Sequence, residues 1–326
     1  MLPNQSRIFR FYLLRLAWLL ALSAILALSA SMAGCQPASP APLPVKSLLS
    51  VPTLTEAPSP THQPTSTPTA APSFTPAWTS TLTPFVSPSP APCLETQGKV
   101  LSLQASFDFF SKPLQFRLYL PPCYNPAAGV RYPLLILLHG QDSDDQQWVR
   151  LGAATAADRL ISSNQSVPFL IAMPYEEYDL QDPEESSFGK LVIQGLVPWL
   201  DQHYSTCNER ACRAIGGLSR GAAWAVRLGF IDWQQFGEIG AHSLAYFWGD
   251  NVLLRQWTRA IPIDQFPSVY MDIGDQDSYL PSATEFEGLL TQYKVPHTWL
   301  INQGIHNEDY WKAHVEEYLR WYSRAW

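Results

Sequence analysis

The fold turns on the stretch Ile215-Gly216-Gly217-Leu218-Ser219-Arg220-Gly221-Ala222-Ala223. An apolar run enters a serine flanked two residues away on each side by glycine, and a run of small residues with helical character leaves it. Strand, tight turn and helix in that order make an elbow, in which Gly217 and Gly221 supply the side-chain-free positions that let the turn close. The serine hydroxyl then stands exposed at the strand end, beneath a helix amino terminus, where a neighbouring base makes it a nucleophile. By composition alone Gly-x-Ser-x-Gly arises in roughly one chain in ten of this length. Context is therefore decisive, and an acid and then a histidine must follow downstream.

Outward from the elbow, short β-rich apolar runs alternate with longer segments of helical period. Residues 114–120, 133–138, 168–173, 213–217, 268–273 and 297–301 read as strands, and 148–162, 188–204, 221–230, 282–293 and 307–322 as helices. Most of these strands are apolar throughout, the mark of central strands buried on both faces of a parallel sheet. The expected fold class is α/β. In the last helix Tyr310, Trp311, His314, Val315, Tyr318, Leu319 and Tyr322 share one face, a core-packing pattern.

The strand over 268–273 runs into Gly274-Asp275-Gln276-Asp277, so Asp275 and Asp277 are both placed to reach a histidine. Asp272 lies inside the strand, with its side chain directed into a sheet face. After the final strand, Asn302-Gln303-Gly304-Ile305-His306 leads into the last helix, which puts His306 on the same sheet edge as Ser219 and the acids. His62, His203, His297 and His314 fit this order less well. His242 precedes the acid and so breaks the order, but it follows Gly240-Ala241 and is a candidate for the pocket lining.

An earlier strand ends in Leu137-Leu138-His139-Gly140-Gln141. A glycine there lets the next backbone amide approach a developing oxyanion, which makes the Gln141 N–H one expected donor and the Arg220 N–H the other. His139 reads as a structural residue of this turn. Asp142-Ser143-Asp144-Asp145 lacks the glycine and distal glutamate of a calcium loop and reads as a solvated segment. Trp148, close behind, is a candidate for stacking on a sugar or phenolic ring.

His139-Gly140, the Gly-Leu-Ser-Arg-Gly elbow, Gly274-x-x-Asp277 and Gly304-x-His306 together resemble the Putative esterase family of α/β-hydrolases, over most of residues 114–322. That family includes feruloyl and acetyl-xylan esterases, enterochelin esterase-like proteins, S-formylglutathione hydrolase and the mycolyltransferases. The resemblance implies an α/β-hydrolase fold with a mostly parallel sheet of about eight strands, helices on both faces and an open cleft. It selects Asp277 over Asp275 as the third member of a Ser219, His306, Asp277 triad. It implies an esterase of small-molecule or polysaccharide esters that needs no cofactor and no metal. Acyl transfer by the same residues, as in the mycolyltransferases, is the alternative, and a non-catalytic surface binding module is a second.

The ends of the chain set its context. Residues 1–35 carry Arg7, Arg10 and Arg15 without an acid, then an uncharged run from Leu16 to Ala33. This is the layout of an export signal. Met32-Ala33-Gly34-Cys35 resembles the lipobox of bacterial lipoproteins, which implies lipidation at Cys35 and anchoring to the outer face of a membrane; an uncleaved anchor or plain secretion are the other readings. Residues 36–92 hold 15 Pro and 19 Ser or Thr and no glycine, so they form no core and read as a disordered stalk. Residues 93–326 form the working domain. Its 27 acidic residues outnumber its 17 basic ones, which argues against a nucleic-acid partner. Four further cysteines in an exported chain suggest disulfides, with Cys93 to Cys123 and Cys207 to Cys212 the favoured pairing.

Overall fold

A computed structural model describes residues 94–326 except Tyr178. The expected signal over 1–35 with Cys35, the stalk over 36–92, and Cys93 lie outside the described residues. Among those described, no helix is long and apolar enough to cross a membrane.

Eight strands form one sheet: β1 (Lys99–Ala105), β2 (Leu114–Leu120), β3 (Leu134–Leu138), β4 (Leu170–Pro174), β5 (Arg213–Leu218), β6 (Glu238–His242), β7 (Ser268–Gly274) and β8 (His297–Asn302). Their spatial order is β1-β2-β4-β3-β5-β6-β7-β8. Only β2 runs against its neighbours, pairing antiparallel with both β1 and β4, and every pairing from β4 across to β8 is parallel. The carboxyl ends of β3 to β8 therefore share one edge.

Apolar runs make the central strands because both sheet faces are covered. In β3, Leu134, Ile136 and Leu138 enter one core while Leu135 and Leu137 enter the other. The first core is closed by α4 (Val197–His203), α5 (Arg220–Ile231), α6 (Asp250–Ala260) and α7 (Leu280–Gln292); the second is closed by α1 (Gln147–Arg150), α2 (Ala153–Ser162) and α8 (Glu308–Ser323). Preceding α4 are the short α3 (Phe188–Lys190) and a π-helical turn over Leu191–Leu196, so the helix expected over 188–204 is continuous but locally unwound. The helix expected over 148–162 is interrupted. Gly152, at φ 93°, separates α1 from α2.

Strands β1 and β6 and helix α6 carry no strong pattern of their own and were not among the expected elements. β1 is an edge strand with little burial, and β6 holds Glu238 and His242 within five residues. Cys207 and Cys212 are disulfide-bonded as expected. Cys123 is also in a disulfide, and its expected partner lies outside the described residues.

Candidate active site

Ser219 caps α5 in a backbone conformation that L-residues rarely adopt, φ 55° and ψ −121°. The elbow is held because its surroundings leave no alternative. A Cβ at Gly217 would run into the backbone of Gly221, and one at Gly221 would run into the carbonyls of Leu138 and His139. The Ser219 N–H donates to His242 O on β6 at 2.9 Å, which ties the elbow to the adjacent strand. Strain of this kind persists only where the fold over-determines it.

From β8, His306 reaches back over the same edge. The Ser219 hydroxyl lies 2.9 Å from His306 Nε2, and His306 Nδ1 lies 2.8 Å from Asp277 Oδ2. The exits of β7 and β8 are strapped together: Asp275 N–H donates to Asn302 O at 2.7 Å, Gln276 N–H to Gly304 O at 2.9 Å, and Gly304 N–H to Asp275 Oδ1 at 3.0 Å. Asp275 thus secures the histidine loop, and only Asp277 meets the histidine. Just beyond His306, Asn307 caps α8 by accepting the Tyr310 N–H at 3.0 Å, which fixes where the loop ends.

Asp277 is buried, and burial by itself raises its pKa. Hydrogen bonds from His306, the Tyr279 N–H and the Ser243 hydroxyl outweigh that effect and hold the carboxyl below its ordinary range. Ser243, itself fully buried after β6, also accepts the indole N–H of Trp311 at 3.0 Å, and the Trp311 ring packs edge-on against His306. Neither Ser243 nor Trp311 was singled out from the sequence as supporting Asp277 and His306, because the contact depends on the β6 exit.

The β3 exit lies directly against Ser219: a Cβ at Gly140 would meet Ser219 Cβ at 3.5 Å and Leu218 at 3.0 Å. The Gly140 N–H is taken by Gln147 Oε1 at 2.9 Å. The backbone N–H groups of Gln141 and Arg220 donate to no group among the described residues, and both residues line the same cleft, of about 470 Å³, as Ser219 and His306. Two free donors beside an exposed hydroxyl are what an oxyanion site requires.

Helix α5 also holds the cleft walls. Arg220 forms a two-pronged ion pair with buried Glu176 after β4, at 2.7 and 3.0 Å, and donates to Gln181 O; Trp224 donates to the same carboxylate at 2.9 Å. One turn further, Arg227 pairs with Glu184 and with Asp250 at the start of α6. Asp144 pairs with Arg150 at 2.6 Å and Asp145 with Arg117 at 3.0 Å, so these acids take arginines. Among the described residues no group of three metal-ligating side chains comes together.

Two expected binding residues are elsewhere. Trp148 is 1% exposed, with its indole N–H bonded to Leu138 O at 2.9 Å, so it packs beneath the β3 exit and presents no face to a ligand. His242 is fully buried on β6, stacked on Tyr318, with Nδ1 2.7 Å from Asp272 Oδ1 and Nε2 3.0 Å from the Tyr322 hydroxyl. A strand residue pointing into the sheet face cannot line a cleft at the sheet edge. The exposed aromatics of the cleft are Trp248, fully exposed, and Tyr279, 42% exposed.

An eight-stranded, mostly parallel sheet with this elbow and strand-end geometry defines an α/β-hydrolase. The chain belongs to the family described as Putative esterase, whose model matches residues 109–323. An endo-1,4-beta-xylanase/feruloyl esterase from Xylanibacter ruminicola is 30% identical over 136 residues, covering 39% of this chain and 19% of the relative, so the match spans about a fifth of that protein. Among solved structures, a ferulic acid esterase superposes with TM-score 0.62 at 22% identity, over 71% of this chain and 100% of the other. An S-formylglutathione hydrolase from Staphylococcus aureus does so with TM-score 0.60 at 17% identity, over 70% and 99%.

Proposed function

We propose that the chain is an exported serine esterase that hydrolyses carboxylic esters through Ser219, His306 and Asp277, anchored at Cys35 and held off the membrane by residues 36–92. The observation that carries this reading is the continuous hydrogen-bonded path from the Ser219 hydroxyl through His306 to Asp277. Ser219 Oγ attacks the ester carbonyl while its proton passes to His306 Nε2, and Asp277 stabilises the imidazolium. The carbonyl oxygen, now an oxyanion, accepts the Gln141 and Arg220 N–H groups. Collapse expels the alcohol, which takes the proton from His306 and leaves an acyl-serine. Water, deprotonated by His306, then attacks the acyl-serine and releases the acid. The scheme calls on no cofactor or metal.

Acylated polysaccharides or phenolic esters are the proposed substrates. The open cleft with Trp248 and Tyr279 at its rim offers flat apolar faces to sugar or phenolic rings, and the relatives named above include ferulic acid esterases. Purified protein is expected to label with a fluorophosphonate probe and to release acid from feruloyl, acetyl-xylan and short-chain nitrophenyl esters, with both properties lost in Ser219→Ala. Labelling that survives in S219A overturns the nucleophile. Products that go mainly to an added carbohydrate acceptor make the enzyme an acyltransferase, and inertness to both probe and esters leaves a binding module.

A further inference from the structure

The oxyanion site contains a histidine that the reaction scheme does not use. His139 is 3% exposed at the β3 exit, next to the two residues whose shared peptide carries the Gln141 N–H. Its Nε2 accepts the backbone N–H of Glu176 at 2.8 Å, and its Nδ1 lies 2.7 Å from the carbonyl oxygen of Gly140. A backbone N–H only donates and a carbonyl only accepts, so these two partners together admit one form of the ring: neutral, with the proton on Nδ1. Burial lowers the pKa of His139 and so favours the neutral ring, against the opposing pull of the Gly140 bond, Glu176, Asp179 and Asp144.

The peptide joining Gly140 to Gln141 is planar, and in a trans peptide the carbonyl and the N–H point in opposite directions. Fixing the Gly140 oxygen therefore fixes the direction of the Gln141 N–H. That N–H donates to no group among the described residues and borders the cleft that holds Ser219. The Gly140 N–H is fixed separately by Gln147, so a hydrogen bond on either side of the Gly140 α-carbon defines the loop. Glu176 joins the two arms of the site: its backbone selects the His139 tautomer, and its carboxylate holds Arg220, the residue that carries the second donor.

We propose that His139 is a positioning residue for transition-state stabilisation, which as the Nδ1–H tautomer holds the Gly140–Gln141 peptide with the Gln141 N–H turned to the developing oxyanion. This inference rests on the serine-esterase reading above. An active, probe-reactive wild type is its precondition, so a wild type inert to esters and to fluorophosphonate defeats that reading, whereas the variants below bear on His139 alone.

Two substitutions separate positioning from packing. His139→Asn places an amide N–H close to where Nδ1 lies and keeps the bond to Gly140, but gives up the distal acceptor for Glu176. His139→Gln reaches the Glu176 N–H but leaves Gly140 without its donor. The expected result is that H139N keeps kcat within about threefold of wild type while H139Q loses 10- to 100-fold with KM little changed, a fraction of the roughly 10²- to 10³-fold that deleting an oxyanion donor costs. Affinity for a trifluoromethyl ketone analogue should fall in parallel with kcat. A purely structural histidine would give equal losses in both variants, or a larger loss in H139N, and either pattern overturns the proposal. Should either variant fail to fold, nitrogen-15 NMR of wild-type His139 decides: a proton on Nδ1 and a bare Nε2 support the assignment, and a proton on Nε2 overturns it.

Discussion

Asp275 and Asp277 flank Gln276 and turn their carboxylates to different partners: Asp275 Oδ1 accepts the Gly304 N–H at 3.0 Å, and Asp277 Oδ2 accepts His306 Nδ1–H at 2.8 Å. Asp277→Asn is expected to lower kcat by about 10⁴-fold, the cost of holding the imidazole in the wrong tautomer. Asp275→Ala should keep kcat within a few-fold and lose about 1 kcal/mol of stability, the worth of one partly exposed hydrogen bond. Steady-state rates on a nitrophenyl ester and thermal melts separate the two, and comparable activity losses would mean the acid is misassigned.

Two carboxylates far from the triad set a pH dependence of stability. Burial pushes Glu238 up to about 7 against the lowering effect of Arg324, and burial pushes Asp250 up to about 7 against Arg227. Glu238 Oε2 and Asp250 Oδ2 have no hydrogen-bond partner among the described residues. Between the ordinary carboxylate range and about pH 7 the folded chain holds protons that the unfolded chain has released, so stability falls as pH rises through that window. The melting temperature should decline from pH 5 to pH 8, and Glu238→Gln and Asp250→Asn should each flatten the decline. An unchanged or steeper slope in both variants refutes the assignment.

Trp248 is fully exposed at the cleft rim, an unfavourable place for an indole unless something covers it in the working complex. Trp248→Ala is expected to reduce kcat/KM on a feruloylated or acetylated oligosaccharide by about 2- to 10-fold, in line with the roughly 0.5 to 1.5 kcal/mol of aromatic stacking. Nitrophenyl acetate, which is too small to reach the rim, should be turned over as before. Equal effects on both substrates would remove Trp248 from substrate binding.

The Cys207–Cys212 bridge closes a short loop ahead of β5, where the Cys207 N–H bonds to Tyr132 O at 2.8 Å. A loop this short contributes roughly 2 kcal/mol by restricting the unfolded chain. Cys207→Ser with Cys212→Ser should lower the melting temperature by several degrees while leaving kcat at 25 °C unchanged, because the bridge lies at the opposite end of β5 from Ser219. A loss of kcat in protein that remains folded would show that the bridge transmits strain to the elbow.

Placements that follow from chain direction were readable from the sequence. Ser219 stood in an apolar-to-helical transition, and a histidine after the last strand must share its edge once the sheet is parallel. The choice between Asp275 and Asp277 was not readable from spacing, since both follow β7; family resemblance selected Asp277, and the strapping of the β7 and β8 exits explains why. Trp148 and His242 were misplaced for a common reason. A sequence displays a polar or aromatic side chain without displaying the partner that satisfies it, and Leu138 O, Asp272 and Tyr322 are distant in sequence from the groups they bind. β1 and β6 were missed because an edge strand needs little apolar content and a five-residue central strand can hold His242 against buried Asp272 and Glu238 against the Arg324 guanidinium at the surface.

Helix α5 gives these parts a common mount. Arg220 and Trp224 grip Glu176 on one wall, Arg227 grips Glu184 beyond it and Asp250 on the other, and Ser219 stands at the helix tip. The walls are fastened to the rod that carries Ser219, so segments hung between the fastenings are expected to accept sequence change with less effect on the position of Ser219 than changes at the fastenings themselves. The stretch between Glu176 and Glu184, and the one from Leu244 to Asp250 beyond the Ser243 that holds Asp277 and Trp311, are the parts of the wall hung between these fastenings.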